Sequence, residues 1–372
     1  MSQQPPKAIY QIALTMIPGV GVMHARNLVQ AVGSEEAVFL EKARALEKIP
    51  RISSRLVAEI RSSEVMRKAE EELTFVEKNR LRLLFYTDPD YPSRLNNCID
   101  APVLLYAKGD ADFNRRKIIS VVGTRNATPY GQKFCEKFIA VLAEKFPEML
   151  VVSGLAYGID VCAHRAALQS GLSTVAVLGH GLDRIYPELH RKTAIEMLEN
   201  GALITEFPSK TTPDRFNFVR RNRIVAGMAD AVVVMESGEK GGSLITADIA
   251  NSYYREVFAL PGRTTDNASK GCNNLIANNK AVLLQDVGDF IAQMNWDSAS
   301  NPAKPKQKEL FLNLSEEEAR IFNALAKNSD GLQVNLLGIE LNLPVSELFF
   351  TLLELEMKNV VQSLPGGVYK LL

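Results

Sequence analysis

The chain of 372 residues carries 43 Lys plus Arg against 43 Asp plus Glu, with 46% hydrophobic and 23% charged residues. That profile fits a globular protein of two or three domains and excludes disorder, collagen and a bulk-basic nucleic-acid or membrane binder. Four scattered cysteines without a C-x-x-C pair argue against a zinc site or a disulfide framework. With no signal-peptide pattern at the N-terminus and no run of about 18 apolar residues, a cytoplasmic protein with no membrane partner is expected.

Residues 1–85 hold 13 basic and 10 acidic side chains and read as a helical domain, with apolar spacing near the helical period. Leu14-Thr15-Met16-Ile17-Pro18-Gly19-Val20-Gly21 is echoed by Leu46-Glu47-Lys48-Ile49-Pro50-Arg51-Ile52-Ser53, a doubled pattern resembling helix-hairpin-helix (SAM-like) units. Glycines at 19 and 21 allow a tight turn that faces amides toward a phosphate. Arg51 and Ser53 replace them in the second copy, where a packing role is the simpler reading. Packing alone and phosphate contact both stay open for the first copy.

Residues 86–295, balanced at 23 basic and 23 acidic, change texture. Ile118–Val122, Met149–Val152, Thr174–Leu178, Ala202–Thr205, Ala231–Met235 and Val257–Leu260 are short apolar runs, and most lead into glycine-bearing turns and helical stretches. Strands buried on both faces and alternating with helices predict an α/β domain with a Rossmann-like, doubly wound parallel sheet. Residues 296–313 read as a polar linker. Residues 296–372 hold 7 basic and 10 acidic groups, and residues 314–372 predict a helix capped by Ser315 and Glu318, two further helices and a terminal hairpin, resembling a winged helix. Its second-motif helix (345–358) has few cations, so a protein-facing role is favoured over reading a duplex.

Ligands of such sheets bind beyond the carboxyl ends of the strands, where helix N-termini favour anions. No G-x-x-x-x-G-K-[ST] or G-x-G-x-x-G loop occurs in place, and the histidines (His24, His164, His180, His190) show no metal-ligand spacing. The outstanding segment is Pro213–Ile224, with four arginines (Arg215, Arg220, Arg221, Arg223) and two phenylalanines (Phe216, Phe218). Arginine forks suit phosphates and aromatic faces suit unpaired bases. One of the two phenylalanines is expected in the core.

At these residues the chain resembles the DprA/Smf family, DNA-processing proteins of natural transformation. The matching stretches are Val121–Arg125 with Tyr130-Gly131, Val152–Asp160 with Ala163-His164, Val177–Asp183 with Tyr186-Pro187, Phe218–Gly227, Gly242–Ala247 and Val257–Gly262. Tyr91–Leu95 and Ala101–Tyr106 precede them in the same order. The resemblance implies an extended Rossmann fold that binds single-stranded DNA, protects incoming strands, dimerises and loads the RecA recombinase, without catalysis and without a cofactor or metal. Carried over, Gly123, Thr124 and Arg125 form the turn whose arginine clamps a phosphate, beside Ser153 and Gly154. Arg215 meets another phosphate, Phe218 a base, Asn222 and Arg223 organise the pocket floor, and Arg221 is counted among the strand-binding residues. Lys240, Gly242, Ser243 and Thr246 supply donors from the facing turn. Thr124 stands where serine is commoner, and Glu239 beside Lys240 weakens the local attraction for phosphate.

The competing reading is a nucleotide-processing enzyme of the phosphoribohydrolase-like class, which carries a glutamate just after its glycine-rich turn. Here Gly241–Ala247 contains no acid, and Asp248 is the first one after it. A scaffold without nucleic acid leaves the arginine-phenylalanine cluster unexplained.

Overall fold

The structure, a computed structural model, describes residues 6–296, 314–328, 331–358, 360–364 and 366–372. Apart from Trp296, the expected linker lies outside the described residues.

Six helices open the chain: α1 (Lys7–Met16), α2 (Val22–Val32), α3 (Glu35–Leu40), α4 (Ala43–Leu46), α5 (Ser54–Ile60) and α6 (Ser63–Lys78). Their apolar stripes meet in one cluster, in which Ile9, Ile12 and Ala13 of α1 join Val65, Ala69 and Val76 of α6. The two hairpin echoes form equivalent turns. Gly19 has φ 79° and Arg51 has φ 69°, so the second copy holds a left-handed turn with a residue that carries a side chain. Ser53 caps α5 by accepting from Leu56 N–H, and Asn27 Nδ2 donates to the Pro50 carbonyl at 3.0 Å, tying the copies together.

The helical reading of residues 1–85 stops short at its end. Arg82–Phe85 is strand β1, antiparallel to β2 (Leu104–Gly109), which in turn runs antiparallel to β6 (Gly201–Thr205). The hairpin has a packing reason: Phe85, Leu104 and Tyr106 are buried in the same cluster as the N-terminal helices. The antiparallel edge is thus the platform on which the helical region rests, and the short α7 (Ser93–Asn96) lies in the connection from β1 to β2.

The remaining strands are β3 (Ile118–Gly123), β4 (Leu150–Ser153), β5 (Ser173–Val177), β7 (Ala231–Glu236), β8 (Glu256–Ala259) and β9 (Val282–Leu283). The sheet order is β1-β2-β6-β5-β4-β3-β7-β8-β9, parallel from β6 to β9. β4, β5, β6 and β7 are buried at every residue, as strands covered on both faces must be. Ile118, Val122 and Val152 face one core, while Ile119, Val121 and Val151 face the other, following the two-residue period. The covering helices are α8 (Pro129–Lys145), α9 (Ile159–Gln169), α10 (Arg191–Met197), α11 (Arg215–Gly227), α12 (Gly242–Ser252), α13 (Lys270–Ala277) and α14 (Val287–Gln293). Thr128 caps α8, with Pro129 pre-set in its first turn.

The C-terminal unit comprises α15 (Glu316–Ala326), β10 (Leu332–Gln333), α16 (Val334–Leu341), α17 (Val345–Met357), β11 (Val361–Leu364) and β12 (Val368–Leu371). Its sheet order is β10-β12-β11, a winged helix. Ser315 and Glu318 form a reciprocal capping box, and Glu318 also accepts from Lys358 Nζ at 2.6 Å. Among the described residues no single helix is long and apolar enough to cross a membrane.

Trp296 belongs to the sheet domain. Its ring stands edge-on to Phe146 and Phe290, each at 5.5 Å, and closes the core beneath α8 and α14. Replacing Trp296 with Ala is expected to cost about 3 kcal/mol of stability, read as a lower urea midpoint of the sheet domain.

Candidate functional site

β3 lies between β4 and β7, so the chain's path across the sheet reverses at the β3/β7 pair, where a crevice opens beyond the strand ends. The register slips between Val122 and Gly123, and Thr124 N–H donates to the Glu236 carbonyl at 2.7 Å. Gly123 is required there, since a Cβ would lie 2.5 Å from Ile159 Cγ1. The Glu236 carboxylate takes Thr128 N–H and Oγ1–H, both at 2.7 Å, and so fixes the start of α8. The Gly123-Thr124-Arg125 turn is held on both sides, and Arg125 projects from it exposed.

The crevice has a volume of about 930 Å³ and collects the loops after β3, β4, β5, β6 and β7. Of the residues the resemblance singles out, Gly123, Thr124, Arg125, Arg215, Phe218 and Arg221 line it, as do Asn222, Lys240, Gly242, Ser243 and Thr246. Lys240 lines it and Glu239 does not. Asp248, the first acid after the glycine turn, pairs with Lys280 at 2.8 Å and is not on the crevice wall.

Ser153, Gly154 and Arg223 sit outside the wall. Ser153 Oγ donates to the Val121 carbonyl at 2.6 Å, inside the sheet. Arg223 is tied to Glu206 and to the Asp100 carbonyl, both at 2.5 Å. Glu206 also accepts from Arg220 at 2.8 Å. The four arginines of the segment therefore divide: Arg215 is exposed at the crevice with no ion pair among the described residues, Arg220 and Arg223 share a carboxylate, and Arg221 is buried.

Neither phenylalanine enters a core cluster, contrary to the expectation for one of them. α11 begins on the rim of the sheet, capped by Asp214, and its first turn has no core beneath it. Phe216 is 82% exposed. Phe218, two residues on and so on the opposite side of the helix, stacks with Tyr186 at 5.8 Å and 26°, beneath the Arg125 guanidinium at 5.7 Å. Tyr186, Arg184 and Asp160 line the crevice without having been assigned there from sequence. An aromatic residue before proline, in the loop that follows Gly179-His180-Gly181, was the available signal for Tyr186. His180 itself is buried, and its Nδ1 bonds the Gly181 carbonyl at 2.9 Å.

The floor is electrostatic and buried. Arg221 lies against Gly154 so closely that a Cβ there would fall 1.7 Å from its Nη1, and that nitrogen donates to the Val177 carbonyl at 2.9 Å. Asp160 is buried opposite, accepting from the backbone of Ala156 and Gly154. Burial pushes its carboxyl up, and the Arg221 charge opposes that shift. Burial likewise lowers the Arg221 guanidinium, and Asp160 counters it. Beneath them His164 Nδ1 bonds Thr174 Oγ1 at 2.7 Å, and Thr174 in turn donates to the Val151 carbonyl. With its hydroxyl hydrogen committed, Thr174 receives Nδ1–H, which leaves Nε2 as a lone pair. Burial, reinforced by Arg221 and His190, holds the His164 ring down at about 3.

Two family models match the chain: DNA recombination-mediator protein A over residues 82–295 and the DprA winged helix domain over residues 301–367. Protein Smf of Escherichia coli K12 is 33% identical over 306 residues, which covers 81% of this chain and 80% of that protein. DNA processing protein DprA of Streptococcus pneumoniae R6 is 40% identical over 209 residues, 56% of this chain and 73% of that one. The X-ray structure of S. pneumoniae DprA superposes with TM-score 0.63 at 30% identity, over 77% of this chain and 97% of that chain. The structure of DNA processing protein A from Helicobacter pylori, reported for its single-stranded DNA binding mode, gives TM-score 0.53 at 28% identity, over 59% and 97%.

Two outcomes are expected of the buried floor. Arg221→Ala leaves Asp160 without its countercharge and costs about 3 kcal/mol, whereas Arg125→Ala changes stability by less than about 0.5 kcal/mol; urea titrations compare them. His164 is neutral in the fold but titrates near 6.5 when unfolded, so the unfolded chain binds the extra proton. Its contribution to stability is complete above about pH 6.5 and declines by up to about 1.4 kcal/mol per unit as pH falls toward 3. His164→Gln is expected to flatten that limb of the stability profile.

Proposed function

The chain belongs to the DprA/Smf family of DNA recombination mediators, and from that premise we propose that its crevice binds single-stranded DNA without acting on it chemically. One observation carries the reading: two stacked aromatic rings, Tyr186 and Phe218, stand at the crevice under the Arg125 guanidinium. Unpaired bases stack on such faces whatever their identity, while exposed cations take the phosphates between them. Arg125, Arg215 and Lys240 are the exposed cations for that purpose. A base pair hides both base faces in its helix, so a duplex cannot use the aromatic platform. The single-stranded DNA binding reported for the H. pylori relative agrees with this reading.

The wider role we propose is that of a cytoplasmic mediator: a homodimer that shelters incoming single strands and passes them to the RecA recombinase. It rests on family membership together with a site suited to a strand of any sequence. Stimulation of RecA filament assembly on oligo-dT by the purified chain tests the hand-over, and sedimentation tests the dimer.

For binding itself, fluorescence anisotropy with labelled oligo-dT is expected to show clear preference over duplex of the same length. Three neutralised phosphates give a log–log salt slope of about −2 on a single strand. Phe218→Ala is expected to weaken binding by about 1–3 kcal/mol, and Arg125→Ala to weaken it while leaving the fold intact. Equal affinity for duplex and single strand overturns the proposal, as does release of free base from nucleoside monophosphates at enzymatic rates.

A further inference from the structure

The winged helix presents an apolar surface that the crevice does not use. Along α17, Leu348, Thr351, Leu352 and Leu355 are buried, while Phe350, Leu353 and Met357 are exposed by 67%, 55% and 78%. Positions 350, 353 and 357 follow helical spacing and form one stripe. Phe349 begins it at the seam with the sheet domain, its ring 6.4 Å from that of Tyr254. On α16, which packs against α17, Ile339 is likewise 78% exposed. A contiguous apolar surface of this kind on a soluble fold marks a docking site.

Charge narrows the occupant. Glu347 and Glu354 flank Phe350 one helical turn before and after it, both exposed and without an ion pair among the described residues. No Lys or Arg occurs from Val334 to Met357. Of the four cations of the winged helix, three are committed elsewhere, Lys358 to Glu318 at 2.6 Å, Lys327 to Glu340 at 3.8 Å and Arg320 to the Leu341 carbonyl at 3.0 Å, and Lys370 lies on β12. A helix that enters a DNA groove needs cations for the phosphates, and this one offers carboxylates. A second copy placed on the same face by two-fold symmetry would bring these glutamates toward one another. An anionic lipid surface is repelled for the same reason.

We propose that this face docks an amphipathic helix of a partner protein, whose apolar residues cover Phe350, Leu353 and Met357 and whose Lys or Arg side chains meet Glu347 and Glu354. The apolar stripe supplies the affinity and the two carboxylates select the partner by charge. This surface is independent of the crevice, so it stands or falls without the strand-binding reading.

The probe is a labelled helical peptide of Leu and Lys at amphipathic spacing, set against the same peptide with Glu for Lys, each titrated onto the full chain. The Lys peptide is expected to bind at least about tenfold more tightly than the Glu peptide, a preference that salt reduces. A Phe350→Ser/Leu353→Ser variant is expected to lose at least about tenfold in affinity for the Lys peptide. Glu347→Gln/Glu354→Gln is expected to remove the preference between the peptides. Thermal unfolding and oligo-dT binding of each variant confirm that the fold and the crevice persist. Equal binding of both peptides, or unchanged binding by either variant, overturns the proposal. So does a dimer that the Phe350/Leu353 change abolishes, or tighter binding to phosphatidylserine vesicles than to the Lys peptide.

Discussion

The crevice depends on one buried charge. Arg221 leaves α11, crosses the ends of β4 and β5, and anchors on the Val177 carbonyl with Gly154 beneath it and Asp160 opposite. A guanidinium removed from water is costly unless its hydrogen bonds and countercharge are in place. Satisfying it therefore dictates where α11 lies, how closely the loop after β4 approaches, and why that loop carries glycine. The groups that line the crevice, Arg215 and Phe218 on the same helix and Arg125 on the facing turn, take their positions from this anchor. Exposure to the crevice and structural support are divided among arginines that look alike in the sequence.

That division marks what was legible in advance. The glycine-bearing turns at strand ends were readable, because a short β-branched run followed by glycine is a local pattern with a local cause. The same holds for the Ser315–Glu318 cap and the helix spanning 345–357. The orientation of Arg221 and Arg223 was not readable, since it depends on Glu206, Asp100 and Asp160, which come from three other segments. The fate of the two phenylalanines failed for a related reason. Composition suggests that one ring must be buried in a core, but α11 starts on the sheet rim, where no core lies below its first turn.

The antiparallel edge is the other feature that local pattern did not reveal. Residues 82–85 and 104–109 are too short, with apolar runs of only three and four residues, for periodicity to separate strand from buried helix. Their pairing satisfies the backbone while offering Phe85, Leu104 and Tyr106 to the N-terminal helices. The helical region and the sheet thus share a core, although composition separates them.

The shared carboxylate of Glu206 has a kinetic side. Two arginines converge on it, so the cluster keeps one uncompensated positive charge, and its more exposed member is Arg220, on the helix that carries Phe218. A charge already engaged by a carboxylate is a poor clamp, yet its field still reaches roughly 10 Å into solution at moderate ionic strength. Such a group accelerates encounter with a polyanion more than it slows departure. For the strand binding proposed for the crevice, capture and retention would then be separable, governed by different arginines of a single helix.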